Sequence, residues 1–199
     1  MKLLFRILKI TLIVILSLLV LSVLGLFIYT RDSYGPLEAM TEEINTLNLD
    51  GIEIIDDFDQ ISYFVEQPKK NIVIVPGGKV KSESYQYLAV KLALSGYDVT
   101  FVKTVFNLAI ITPNYGARFL KDGIENVLII TGEFDTVLDI NDVNKSASLL
   151  PDNVVMYEIA GGNHAQFGWY GTQSLDGEAT IDTKTQQDII ITQIIDFID

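Results

Sequence analysis

His164 is the only histidine in the 199-residue chain, and it follows Gly161-Gly162-Asn163 directly after an apolar run. An imidazole on a loop at the carboxyl end of a strand is placed to work as a general base. The alternative is a histidine that caps a turn. Two other apolar runs end in distinctive residues: Pro76-Gly77-Gly78-Lys79 early in the chain and Gly132-Glu133-Phe134-Asp135 later. A glycine pair after a strand suits backbone N–H groups aimed at an oxyanion. An aspartate before a histidine, each after a late strand, suits an acid that orients an imidazole.

Each of these residues has a second reading. Asp135 also suits a turn, bonding its own backbone, and Asp139 and Asp142 are further acids on the same loop. Glu133 reads as solvated. Lys79 faces solvent or attracts an anionic substrate group. Asn163, Phe167 and Trp169 are candidate pocket residues around His164, with Tyr170 beside them, although aromatic residues equally fill a core.

Ser82 and Ser84 follow the glycine pair and read as the start of a helix, Ser82 as its N-cap. Ser174 reads as a surface loop residue. Thr136 and Thr112 are weaker hydroxyl candidates.

Composition removes several function classes. The chain has no cysteine, which excludes thiolate catalysis, disulfides and thiolate metal sites. One histidine without further His or Cys does not make a zinc site, so no metal is expected. The glycine pair has neither phosphate-loop nor dinucleotide-fold spacing, and no cofactor is implied. Of the 14 Lys and Arg, four (Lys2, Arg6, Lys9 and Arg31) precede residue 32. Residues 32–199 therefore hold 10 against all 26 Asp and Glu, a net charge of −16. Such a surface repels phosphate backbones, so no nucleic acid is expected as a partner.

The elements that must position these residues follow from hydropathy. Ile10 to Thr30 carries no charge, and at about 1.5 Å per residue it spans roughly 30 Å of hydrocarbon. It is longer than a signal-peptide core and lacks a small-x-small cleavage site, so residues 1–31 read as a signal anchor. Lys2, Arg6 and Lys9 before it predict a cytoplasmic N-terminus. The expectation is a single-pass protein of the cell membrane, with its C-terminal domain extracellular.

Residues 32–36 form a polar linker, and 37–199 one domain. The spacing predicts a helix over 37–47, hairpin strands over 52–55 and 61–65, and a buried parallel strand over 71–75. A helix over 82–95, closed by Gly96, and a strand over 97–102 complete a strand–helix–strand unit. Strands over 126–131 and 153–159, a poor helix or turn over 140–149, and an amphipathic helix over 183–198 follow. Its inward residues are Ile190, Ile191, Ile194, Ile195 and Ile198. The alternation argues an α/β fold with an open parallel sheet.

On the stretches PGGKV…YQYLAVKLALSGYDVTFVK, ITGEFD and GGNHAQFGWYG, the chain resembles the α/β-hydrolase superfamily, most nearly a group of small bacterial membrane-anchored hydrolases. The resemblance covers most of residues 37–199. It implies a triad acid at Asp135, a triad base at His164, and Gly77 or Gly78 in the oxyanion-hole loop. It also implies a carboxylic-ester-type substrate of small-molecule size.

The family pattern departs at its centre. No Gly-x-Ser-x-Gly elbow occurs anywhere, and the 19 residues from Asn107 to Glu125 contain no serine. The nucleophile is unassigned. Loss of a triad nucleophile costs on the order of 10⁶ in turnover in a serine protease. Two further readings therefore stand beside a hydrolase: a pseudoenzyme that binds a ligand or partner, and an internally deleted, non-functional hydrolase. The missing segment normally supplies a mid-sheet strand. The expected fold is a contracted α/β-hydrolase-like parallel sheet with flanking helices and an N-terminal hairpin. Either strands 71–75 and 126–131 pair directly in a four-strand parallel core, or the sheet carries a gap that exposes apolar surface.

Overall fold

The computed structural model describes residues 2–108, 126–141 and 153–199. The chain divides into two units, Met1–Ser33 and Tyr34–Asp199.

The first unit is one helix, α1 (Lys2–Thr30), 29 residues long. Leu, Ile, Val and Phe surround its whole circumference, so it has no polar face to turn toward water. It is long and apolar enough to cross a membrane. Lys2, Arg6 and Lys9 lie within its first turns.

The second unit starts with a short helix, α2 (Glu38–Asn45), which buries Met40 and Ile44. The hairpin follows as β1 (Ile52–Asp56) and β2 (Gln60–Val65), with Ile52 opposite Val65 and Asp56 opposite Ile61. β3 (Asn71–Ile74), a 3₁₀ turn over Ser82–Tyr85, α3 (Gln86–Leu94) and β4 (Asp98–Val102) form the strand–helix–strand unit. β3 and β4 are parallel, Asn71 opposite Asp98, and β2 joins the far edge of β4 antiparallel. The sheet order is β1-β2-β4-β3.

Leu88, Ala89, Leu92 and Ala93 of α3 are buried against Tyr63, Tyr97, Val99 and Phe101. Tyr63 and Phe101 meet edge to face at 6.2 Å between ring centroids, the favoured arrangement of two quadrupoles. Gly96 closes α3 at φ +93°, a conformation glycine adopts without a Cβ penalty. Ser82 does not cap the helix. A 3₁₀ turn precedes α3, and the buried Ser82 hydroxyl donates to the Val102 carbonyl at 3.4 Å instead.

β5 (Asn126–Gly132) and β6 (Asn153–Ile159) run parallel in register, Asn126 opposite Asn153 and Gly132 opposite Ile159. They form a separate two-stranded sheet. This corrects the four-strand parallel core: among the described strands, β3 does not pair with β5. The described strands lie in two sheets instead of one. Val75 after β3 and Val155 and Met156 on β6 are exposed.

The two sheets are joined through α4 (Thr183–Ile198), which packs on both α3 and β5. Ile190 and Ile191 are buried, and Ile194, Ile195 and Ile198 pack against the same core. Asp182 caps α4, its carboxylate accepting from Thr185 N and Oγ1, each at 2.8 Å. Those bonds hold its carboxyl below the usual carboxylate range. Of the poor helix or turn over 140–149, residues 142–149 lie outside the described residues.

Candidate active site

The carboxyl end of β5 meets the loop after β6 at a backbone contact that only glycine permits. A Cβ on Gly132 would stand 2.7 Å from the Gly162 carbonyl carbon and 2.8 Å from Asn163 N. Gly161 turns the chain at φ +75°. Three bonds then lock the two segments: Glu133 N to Ile159 O at 3.0 Å, Phe134 N to Gly162 O at 2.8 Å, and Gly161 N to Glu133 Oε2 at 2.8 Å. Glu133, expected to be solvated, thus accepts a bond from the loop it faces.

This docking brings Asp135 Oδ2 to 2.9 Å from His164 Nδ1. A carboxylate only accepts, so Nδ1 carries a proton, and in the neutral ring Nε2 is the nitrogen that holds the lone pair. Asp135 Oδ1 accepts from Val137 N at 3.1 Å and Leu138 N at 2.9 Å. The turn reading and the orienting reading therefore hold together, one oxygen for each. The Asp135 side chain is 4 % exposed and the His164 side chain 36 %, so the acid is dry and the ring opens to solvent. Nε2 has no partner among the described residues.

The His164 backbone is fixed separately. Asp176 accepts from His164 N at 3.2 Å, Ala165 N at 2.8 Å and Gly177 N at 2.9 Å. Asn163 is gripped from α4: Gln186 accepts from its N–H at 3.0 Å and donates to its carbonyl at 2.8 Å. Asn163 Nδ2 donates to Gly177 O at 2.8 Å. Gln187 donates to the carbonyls of Gln166 and Phe167.

Sequence reasoning passed over Asp176, Gln186 and Gln187. The only signal for the glutamines was two polar residues on the apolar face of α4.

The glycine pair is held by other means. Gly77 N donates to the Tyr85 hydroxyl at 3.1 Å, and Gly78 N has no partner among the described residues. The left-handed position of this turn belongs to Lys79, at φ +62°, rather than to a glycine. Tyr34 bridges to Val80, its N–H donating to Lys79 O at 2.7 Å. Val80, Ala165 and Tyr170 form a small buried cluster with Tyr34 and Tyr85, so the glycine turn and the His164 loop share one apolar contact. Burial raises the Tyr170 phenol well above its usual range, helped by Tyr85, Asp176, Tyr34 and Asp135 around it.

The remaining candidates fall elsewhere. Trp169 is buried edge-on against Tyr87 at 5.1 Å, and Phe167 packs on the same core. Of the three pocket residues, Asn163 alone lines a cavity of about 470 Å³, together with Gln166, Gln173, Asp176 and Glu178.

Asp139 accepts from Asn141 N in a turn of its own. Ser84 donates to Tyr34 O and Thr136 to Leu175 O. Ser174 is exposed in a turn. Asp142 and Thr112 lie outside the described residues. Among the described residues, no hydroxyl bonds the His164 ring.

Compared with known families, the chain matches the family model described as Alpha/beta hydrolase family, in two pieces, residues 71–127 and 118–188. The pieces overlap at 118–127, which takes in the end of the serine-free interval and the first two residues of β5. No curated protein and no solved structure matches the chain.

Proposed function

Because this chain belongs to the alpha/beta hydrolase family, we propose that it is a membrane-anchored, carboxylic-ester-type hydrolase whose acid–base pair works without a serine nucleophile. The observation that carries the reading is the 2.9 Å contact between Asp135 Oδ2 and His164 Nδ1, with Nε2 open. With the tautomer fixed, Nε2 takes a proton from water, and the hydroxide attacks the ester carbonyl carbon. The tetrahedral intermediate expels the alkoxide, and His164 returns the proton to it. Ester and water become acid and alcohol. A general base contributes about 10²–10⁴-fold, so turnover is slow beside a complete triad.

The topology belongs to the same proposal. Lys2, Arg6 and Lys9 keep the N-terminus cytoplasmic and place the acidic domain outside the cell membrane.

A second reading has its own support. That no hydroxyl among the described residues bonds Nε2 favours a pseudoenzyme that binds a ligand or partner and performs no chemistry, and the division of the described strands into two sheets favours an internally deleted chain. A fluorophosphonate probe on the full chain in detergent, followed by peptide mapping, tests the absence of a covalent nucleophile. No adduct is expected. A stoichiometric adduct on one serine, lost in His164→Ala, would mean that a relocated nucleophile completes a triad.

A further inference from the structure

The glycine turn offers two backbone donors on paper, but Gly77 N–H is already bonded to the Tyr85 hydroxyl at 3.1 Å. A phenol has one proton to give and two lone pairs to accept with. Tyr85 accepts with one of them. Its own proton meets no acceptor among the described residues.

Neighbouring tyrosines differ: Tyr87 donates to Asp188, Tyr97 to Asp199, and Tyr170 to Gln173. Tyr85 stands out as a phenol polarised by a backbone N–H behind it and with an unused proton in front. Burial raises its pKa above the usual phenol range, so it stays protonated at neutral pH.

Its place fits a role in the site. Tyr85 touches the cluster of Val80, Ala165 and Tyr170, and Ala165 adjoins His164. A Cβ on Gly168 would lie 2.7 Å from the Tyr170 ring and 3.5 Å from the Tyr85 ring, so both rings pack beside Gly168 on the loop that carries His164. Gly78 N–H, next to Gly77, has no partner among the described residues either.

We infer that the Tyr85 hydroxyl and Gly78 N–H are the two donors that receive the substrate's carbonyl oxygen as it becomes an oxyanion, with Gly77 N–H standing behind Tyr85. A donor chain of this kind strengthens the terminal bond, because each bond polarises the next. The inference rests on the acid–base reading above and adds a catalytic residue to it.

Monoethyl methylphosphonate, a small anionic tetrahedral analogue of the intermediate, tests it in calorimetric titrations of the full chain in detergent. Wild type binds, and His164→Ala binds more weakly. Tyr85→Phe loses about tenfold or more, as for one bond to a charged acceptor. Placing 3-fluorotyrosine at position 85 keeps the shape and gives a more acidic donor, so binding tightens. A purely structural phenol would not respond in that direction, and this variant decides the matter if Tyr85→Phe unfolds.

Wild-type affinity in both Tyr85 variants, with His164→Ala weakened, overturns the role of Tyr85 alone. No binding by wild type removes the acid–base reading and this inference together.

Discussion

Gln186 holds Asn163 by both backbone groups: its Oε1 accepts from the N–H at 3.0 Å and its Nε2 donates to the carbonyl at 2.8 Å. The side chain is fully buried on α4, so a helix in the C-terminal part of the chain sets the backbone one residue before His164. Gln186→Ala leaves two buried polar groups without partners, at about 1–3 kcal/mol each. Thermal unfolding of the full chain in detergent is expected to show a loss of about 2–6 kcal/mol. An unchanged midpoint would mean that water replaces the amide without cost.

Gly132→Ala is the sharper test of how the site is assembled. The new methyl would meet the Gly162 and Asn163 backbone at 2.7 and 2.8 Å, and neither segment can yield without moving β5 away from the His164 loop. The Asp135–His164 bond should lengthen, and the low-field imidazole Nδ1–H resonance should disappear from the proton NMR spectrum. Gly78→Ala meets only Leu108 Cδ2 at 3.8 Å and should leave that resonance in place.

Alkaline pH tests the core. Tyr63 is pushed up to about 12, chiefly by burial, and so is Tyr87, by burial and by Asp188 beside it. A raised folded pKa means that the native state keeps protons which the unfolded state releases. Their contribution is whole below the ordinary phenol value of about 10 and is lost as pH rises toward about 12. Stability measured by denaturant unfolding should fall across that window. Tyr63→Phe should flatten the fall.

The anchor is tested by topology. A reporter joined after Asp199 should be active only outside the cytoplasm, and the chain should stay in the membrane pellet after alkaline extraction. A reporter active only in the cytoplasm contradicts the proposed orientation.

Much of the scaffold could be read from hydropathy, because period and face are local. The span of α4 over 183–198, the unit from β3 to β4 and the hairpin all follow from residue alternation within a few turns or strands. Pairing between strands is not local. Nothing in residues 71–75 or 126–131 states whether they meet, and β3 and β5 lie in different sheets.

The site divides in the same way. Chain order and strand ends pointed to Asp135 and His164, but their clamps come from distant residues. Asp176 lies 12 positions beyond His164 and Gln186 lies 23 beyond Asn163, and neither has a motif to announce it. Ser82 reads as an N-cap by local preference, yet the fold offers it the Val102 carbonyl across the strand–helix–strand unit.

The most direct test is the hydrolysis rate of a 4-nitrophenyl ester by the full chain in detergent, compared with His164→Ala and Asp135→Asn. An Asp135–His164 base predicts a slow wild-type rate that falls about 10²-fold without the imidazole. It should also fall at least about tenfold when the carboxylate no longer fixes the tautomer. Equal rates for all three proteins, each shown to be folded, would contradict the account and leave a binding protein built on a hydrolase scaffold.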